Sequence, residues 1–142
     1  MPKSDEIKND IDVFMENNRE NLINLCSELV EAKSFNPPGD TSKTTSVIEN
    51  FFLASGISCE IIAKKKNKPN LISRAKGINK GLHLLFNGHM DTIGIGDESL
   101  WSVPIFSLTK NSGRLYGIGM GNMKGAVAAM AMAYKFLYEN RY

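Results

Sequence analysis

A chain of 142 residues, 42% hydrophobic and 23% charged, has the size and composition of one globular domain with a single core, which excludes a disordered or repeat protein. Seventeen basic against fifteen acidic residues leave a formal net charge of +2, too little for electrostatic binding of nucleic acid. Cys26 and Cys59 are the only cysteines; without a CxxC pair they read as reduced thiols, not a disulfide framework. The polar, acidic start (Met1-Pro2-Lys3-Ser4-Asp5-Glu6) is unlike a targeting peptide, and the longest apolar run, 126–134, is far short of the ~20 residues that span a bilayer. A cytoplasmic protein with neither nucleic-acid nor membrane partners is expected.

Along the chain, Ile7, Ile11, Phe14 and Met15 recur at helical spacing, and Leu22, Leu25, Cys26, Leu29 and Val30 do so again after the polar Asn17-Asn18-Arg19. The pattern predicts one bent helix or two consecutive ones over about 5–32. Ser34-Phe35-Asn36-Pro37-Pro38-Gly39 stops it, because proline disfavours helical geometry in the residue before it. A second amphipathic helix over about 44–54, with Val47, Ile48, Phe51 and Phe52, ends at Ser55-Gly56. Two short strands near 58–63 and 70–76 follow, separated by the lysine-rich turn Lys64-Lys65-Lys66-Asn67-Lys68-Pro69, which reads as a solvated turn.

Leu82-His83-Leu84-Leu85-Phe86 is nearly continuous apolar sequence and predicts a strand buried on both faces. A Gly-, Ser- and Asp-rich loop over 92–111 carries the single tryptophan, Trp101; loops of such length in small domains are usually functional. Leu115-Tyr116 is briefly extended, and 123–138 reads as an alanine-rich helix suited to close packing. The expected fold is α/β, a mixed sheet flanked by helices.

Ligand sites in open α/β sheets lie beyond the carboxyl ends of the strands, where His89 and Asp91 fall. Residues i and i+2 of an extended segment share a side, so both side chains are expected to face one cavity. Imidazole is a common zinc ligand, and a carboxylate at its second nitrogen fixes its tautomer and raises its basicity. A structural histidine is the alternative for His89, and an outward or packed position is expected for His83. Gly117, Gly119 and Gly121 precede a helix and could cradle phosphate. They match neither nucleotide template: the sixth position of G-x-G-x-x-G is Asn122, and Lys124 lacks the flanking residues of a P-loop.

Together, Gly88-His89-Met90-Asp91-Thr92, then Trp101, Pro104 and Phe106, then Gly113-Arg114-Leu115-Tyr116-Gly117, then Met123-Lys124-Gly125 resemble, in order and spacing, the co-catalytic zinc amidohydrolases and peptidases. That family includes acetylornithine deacetylase, succinyl-diaminopimelate desuccinylase, aminoacylases and glutamate carboxypeptidase. Ser34-x-Asn36-Pro37-Pro38-Gly39, the helix ending at Gly56 and Pro69-Asn70-Leu71-Ile72 also resemble its N-terminal segments, so the likeness covers roughly 22–137.

The resemblance implies the N-terminal part of a zinc-peptidase-like catalytic domain, with the lid domain and the C-terminal half of the catalytic domain absent from this chain. His89 matches a histidine that ligates one of two zinc ions, and Asp91 the catalytic acidic residue that orients it. Asn122 stands where the family has a metal-bridging aspartate, and Ile118 where many members have arginine. An amide offers one neutral oxygen and a donor nitrogen in place of two anionic oxygens. The implied reaction is zinc-dependent hydrolysis of the amide bond of N-acyl amino acids or small peptides. Its general base, a glutamate, and its remaining ligands lie downstream in the family, so this chain alone is expected to be inactive, and the full-length protein a possible homodimer. Two other readings stand beside it: a non-catalytic remnant or binding module of the same ancestry, and a phosphate- or nucleotide-binding domain using Gly117, Gly119 and Gly121.

Overall fold

The computed structural model describes residues 4–78 and 81–140. Residues 1–3 of the polar N-terminus and 141–142 at the C-terminus lie outside them. The helical pattern over 5–32 resolves into two helices, α1 (Ser4–Asn17) and α2 (Arg19–Glu31). Asn18 breaks them at φ −110°, and its side-chain nitrogen donates to the Phe14 carbonyl at 2.9 Å, the competition with helical bonding that asparagine offers. α1 buries none of its residues, whereas α2 buries Leu25, Cys26, Leu29 and Val30.

The next helix, α3 (Ser42–Leu53), begins slightly before the predicted start. It ends as the sequence suggested. Gly56 takes φ +70°, and the amides of Gly56 and Ile57 close back on the carbonyls of Leu53 and Phe52. The last helix, α4 (Lys124–Asn140), lays Ala128 and Ala131 against α2 and α3. Their small side chains allow close approach, and the core they complete holds Leu25, Cys26, Leu29, Ile48, Phe52 and Ile57. Each fully buried large apolar side chain there is worth roughly 1.5–3 kcal/mol.

The strands are short. β1 (Phe35–Asn36) and β4 (Thr92–Ile93) pair in parallel, Phe35 opposite Thr92. β2 (Glu60–Ile62) and β3 (Asn70–Ile72) form an antiparallel hairpin across the lysine turn, and β5 (Thr109–Asn111) pairs antiparallel with β6 (Arg114–Tyr116). The fold is α/β with both kinds of pairing, carried among the described residues by three separate two-stranded ladders. The loop over 92–111 also holds a single 3-10 turn, Glu98–Leu100, and Trp101 closes it by donating its indole N–H to the Ile95 carbonyl at 2.9 Å.

One expectation is corrected. Residues 82–86 form no strand, and Leu82, Leu84 and Leu85 are 104%, 70% and 83% exposed. A strand apolar on both faces needs a hydrogen-bonded neighbour and cover on each face. The described residues give the segment neither.

Candidate functional site

The parallel ladder fixes the segment that carries the candidate residues. The Thr92 amide donates to the Ser34 carbonyl at 3.0 Å, and the Ser34 hydroxyl donates to the Met90 carbonyl at 2.8 Å. Asp91 is thus clamped on both sides by the stretch that follows α2. Its Oδ2 accepts from the Asn36 side-chain nitrogen at 3.3 Å. Asn36 entered the sequence reading as part of a helix stop and of an N-terminal segment of the resemblance, with no role at the site; its bond to Asp91 depends on the parallel pairing of β1 and β4, which no local pattern reveals.

His89 Nδ1 lies 3.1 Å from Asp91 Oδ1 and 2.9 Å from the Asp91 carbonyl oxygen. Both are acceptors, so Nδ1 carries the hydrogen and donates. The lone pair is then on Nε2, the nitrogen left for a metal. The His89 side chain is about half exposed and that of Asp91 about a third. His83 is exposed, as expected.

His89 and Asp91 share a side of the segment, as their spacing implies, and neither lines the cavity next to it. A cavity of about 190 Å³ between residues 84–90 and the helices is lined instead by Gly88 and Met90, with Ile48, Phe52, Val127 and Tyr134. Alternation along the chain turns the glycine and methionine inward, and it turns His89 and Asp91 toward each other on the opposite side. Gly88 sits hard on α4: a Cβ there would lie 2.7 Å from the methyl carbons of both Met123 and Met130. This contact brings the histidine-bearing segment beside the start of α4, where Asn122 is.

Asn122 is exposed, and its amide N–H donates to the Gly119 carbonyl at 3.1 Å. Its side chain makes no hydrogen bond among the described residues. Ile118, at the position where many relatives of the resembled family have arginine, is 3% exposed and belongs to the interior. The glycine run has packing reasons of its own. A Cβ on Gly117 would meet the Val30 methyls at 2.8 and 3.0 Å, and Gly119 has φ +82° with Thr92 Cγ2 only 2.5 Å from its Cβ position. The amides of Ile118, Met120, Asn122 and Lys124 all donate to main-chain carbonyls, which takes them from any phosphate.

Lys124 opens α4, yet it is 1% exposed. Its Nζ donates to the Ala32 carbonyl at 2.9 Å, and burial pushes its pKa down to about 8. Nothing in the sequence signalled this, because a lysine on the first turn of a helix is ordinarily solvated.

Residues 85–142 match the model of Peptidase family M20/M25/M40. Relatives extend the likeness upstream. The chain is 35% identical over 112 residues to a succinyl-diaminopimelate desuccinylase of Buchnera aphidicola, an alignment covering 79% of this chain and 28% of the relative.

The chain belongs to this peptidase family.

It is also 29% identical over 127 residues to an N-formyl-4-amino-5-aminomethyl-2-methylpyrimidine deformylase of Halalkalibacterium halodurans, covering 87% of this chain and 30% of the relative. Against a succinyl-diaminopimelate desuccinylase of Bradyrhizobium diazoefficiens it is 31% identical over 115 residues, covering 78% and 29%. The chain therefore spans 28–30% of the length of these relatives. The site residues present supply one oriented nitrogen donor, His89 Nε2. Among the described residues no group of three or more His, Cys, Asp or Glu side chains is placed to hold a metal. The two-ion set implied by the resemblance is not assembled by the described residues. No helix among the described residues is long and apolar enough to cross a membrane.

Proposed function

We propose that the protein is a zinc-dependent amidohydrolase that removes the acyl group of an N-acylated amino acid or small amine, and that these 142 residues correspond to the N-terminal part of its catalytic domain. The names of the relatives, desuccinylase and deformylase, favour acyl removal over exopeptidase action. The observation that carries the reading is the His89–Asp91 pair, with Nδ1 committed to the carboxylate and Nε2 free, on a segment packed against the start of α4. Asn36 steadies the carboxylate. A zinc ion held there would supply Lewis acidity toward the amide carbonyl. The general base and the further ligands belong, in this reading, to the part of the relatives' length that this chain does not span. The cytoplasm is the proposed compartment.

Calorimetric titration with zinc of the protein as its own cells produce it tests the reading. Binding is expected, lost at this site in His89→Ala and tightened about tenfold or more in Asn122→Asp, where an anionic oxygen replaces a neutral one. Zinc binding that is indifferent to His89→Ala would overturn it.

A second reading, a non-catalytic module of the same ancestry, is favoured by the amide at position 122. It requires that Asn122→Asp leave zinc binding unchanged.

A further inference from the structure

Lys124 is the largest fully buried side chain of the described residues. Filling space does not require a lysine, since an apolar residue of that length would avoid the desolvation of an ammonium group. What the ammonium adds is a bond across the fold. Its acceptor, the Ala32 carbonyl, sits at the end of α2, whose own N–H still bonds the Glu28 carbonyl, and carbonyls at a helix C-terminus favour a cation. Two residues later Ser34 grips both Met90 and Thr92, on either side of Asp91.

On its other side, the Lys124 amide shares the Gly119 carbonyl with the amide of Asn122, at 3.0 and 3.1 Å. The lysine stem and the Thr92 methyl close on Gly119 together: a Cβ there would be 3.0 Å from Lys124 Cγ and Cδ and 2.5 Å from Thr92 Cγ2. The Thr92 hydroxyl, buried in the same node, has no partner among the described residues.

From these contacts we propose that Lys124 is a positioning residue, whose bond to the Ala32 carbonyl locks the turn bearing Asn122 against the segment bearing Asp91 and Thr92. The lock sets the spacing between position 122 and the His89–Asp91 pair. This rests on the reading of those three residues as the metal site.

Lys124→Met keeps the length of the side chain and removes its donors. In this variant, amide hydrogen exchange at Asn122 and Thr92 is expected to quicken at least tenfold while the amides of Leu29 and Ala128, in the α2–α4 core, keep their protection. Zinc affinity is expected to fall about 10–100-fold, the usual effect of losing a residue that orients a ligand. Unchanged exchange at Asn122 and Thr92, or an equal loss of protection throughout the core, overturns the proposal. Failure of the unaltered protein, as its own cells produce it, to bind zinc defeats the functional reading, while the exchange pattern still decides the role of Lys124. Should the variant not fold, the unaltered protein decides it by NMR. A Lys124 ammonium shielded from water and coupled to the Ala32 carbonyl is expected, and one exchanging like a surface lysine overturns the proposal.

Discussion

His89 and Asp91 form a hydrogen-bonded unit, and on the proposed reading the carboxylate would act on a bound metal only through the ring. With Nδ1 donating to Asp91, removal of the carboxylate leaves it only the main-chain carbonyl at 2.9 Å, which keeps the tautomer but lowers the basicity of Nε2. Asp91→Ala is therefore expected to weaken zinc binding about 10–100-fold without abolishing it, whereas His89→Ala abolishes it; titration of the two variants side by side checks the order. Ile118 presents the opposite case. The resemblance pairs this position with arginine in many members, but here the side chain is 3% exposed and its amide bonds the Ile105 carbonyl. Ile118→Arg would bury a charge with no partner at hand, and a loss of about 3 kcal/mol or more is expected by urea unfolding. The sequence made His89 and Asp91 visible because i and i+2 on an extended segment must share a side. It could not show that they turn toward each other and away from the cavity, because that depends on Gly88 seating against α4.

At the scale of elements, the helices were legible and the sheet was not. Amphipathic repeats with terminating asparagine, proline and glycine define α1 to α4, since each signal is local and each helix satisfies its own backbone. The β2–β3 hairpin was legible for a similar reason, its strands being separated only by the lysine turn. The parallel β1–β4 ladder joins residues more than fifty positions apart, and the strand expected at 82–86 lacks neighbours among the described residues. The turn before α4 depends on Gly119, which is needed both for its φ of +82° and for the approach of Thr92. Gly119→Ala is expected to lose about 1–3 kcal/mol from backbone strain, with more from displacing Thr92. Chemical denaturation reads the total, and a change below about 0.5 kcal/mol would contradict this packing.

For the molecule as a whole, three strongly exposed leucines at 82–85 are the feature with the clearest physical consequence. Leu82, Leu84 and Leu85 offer apolar surface together with backbone that finds no strand partner among the described residues, a combination that promotes association. The chain by itself is expected to self-associate with rising concentration, and Leu84→Lys with Leu85→Lys to restore a monomer in sedimentation equilibrium. The proposed function, zinc-dependent removal of an acyl group, is put to the test by hydrolysis of N-succinyl and N-formyl amides by the protein as its own cells produce it, with zinc and after chelation. Release of the free amine that disappears on chelation and returns with zinc is the expected result. No release with zinc present, from either the natural protein or its Asn122→Asp variant, would contradict the claim.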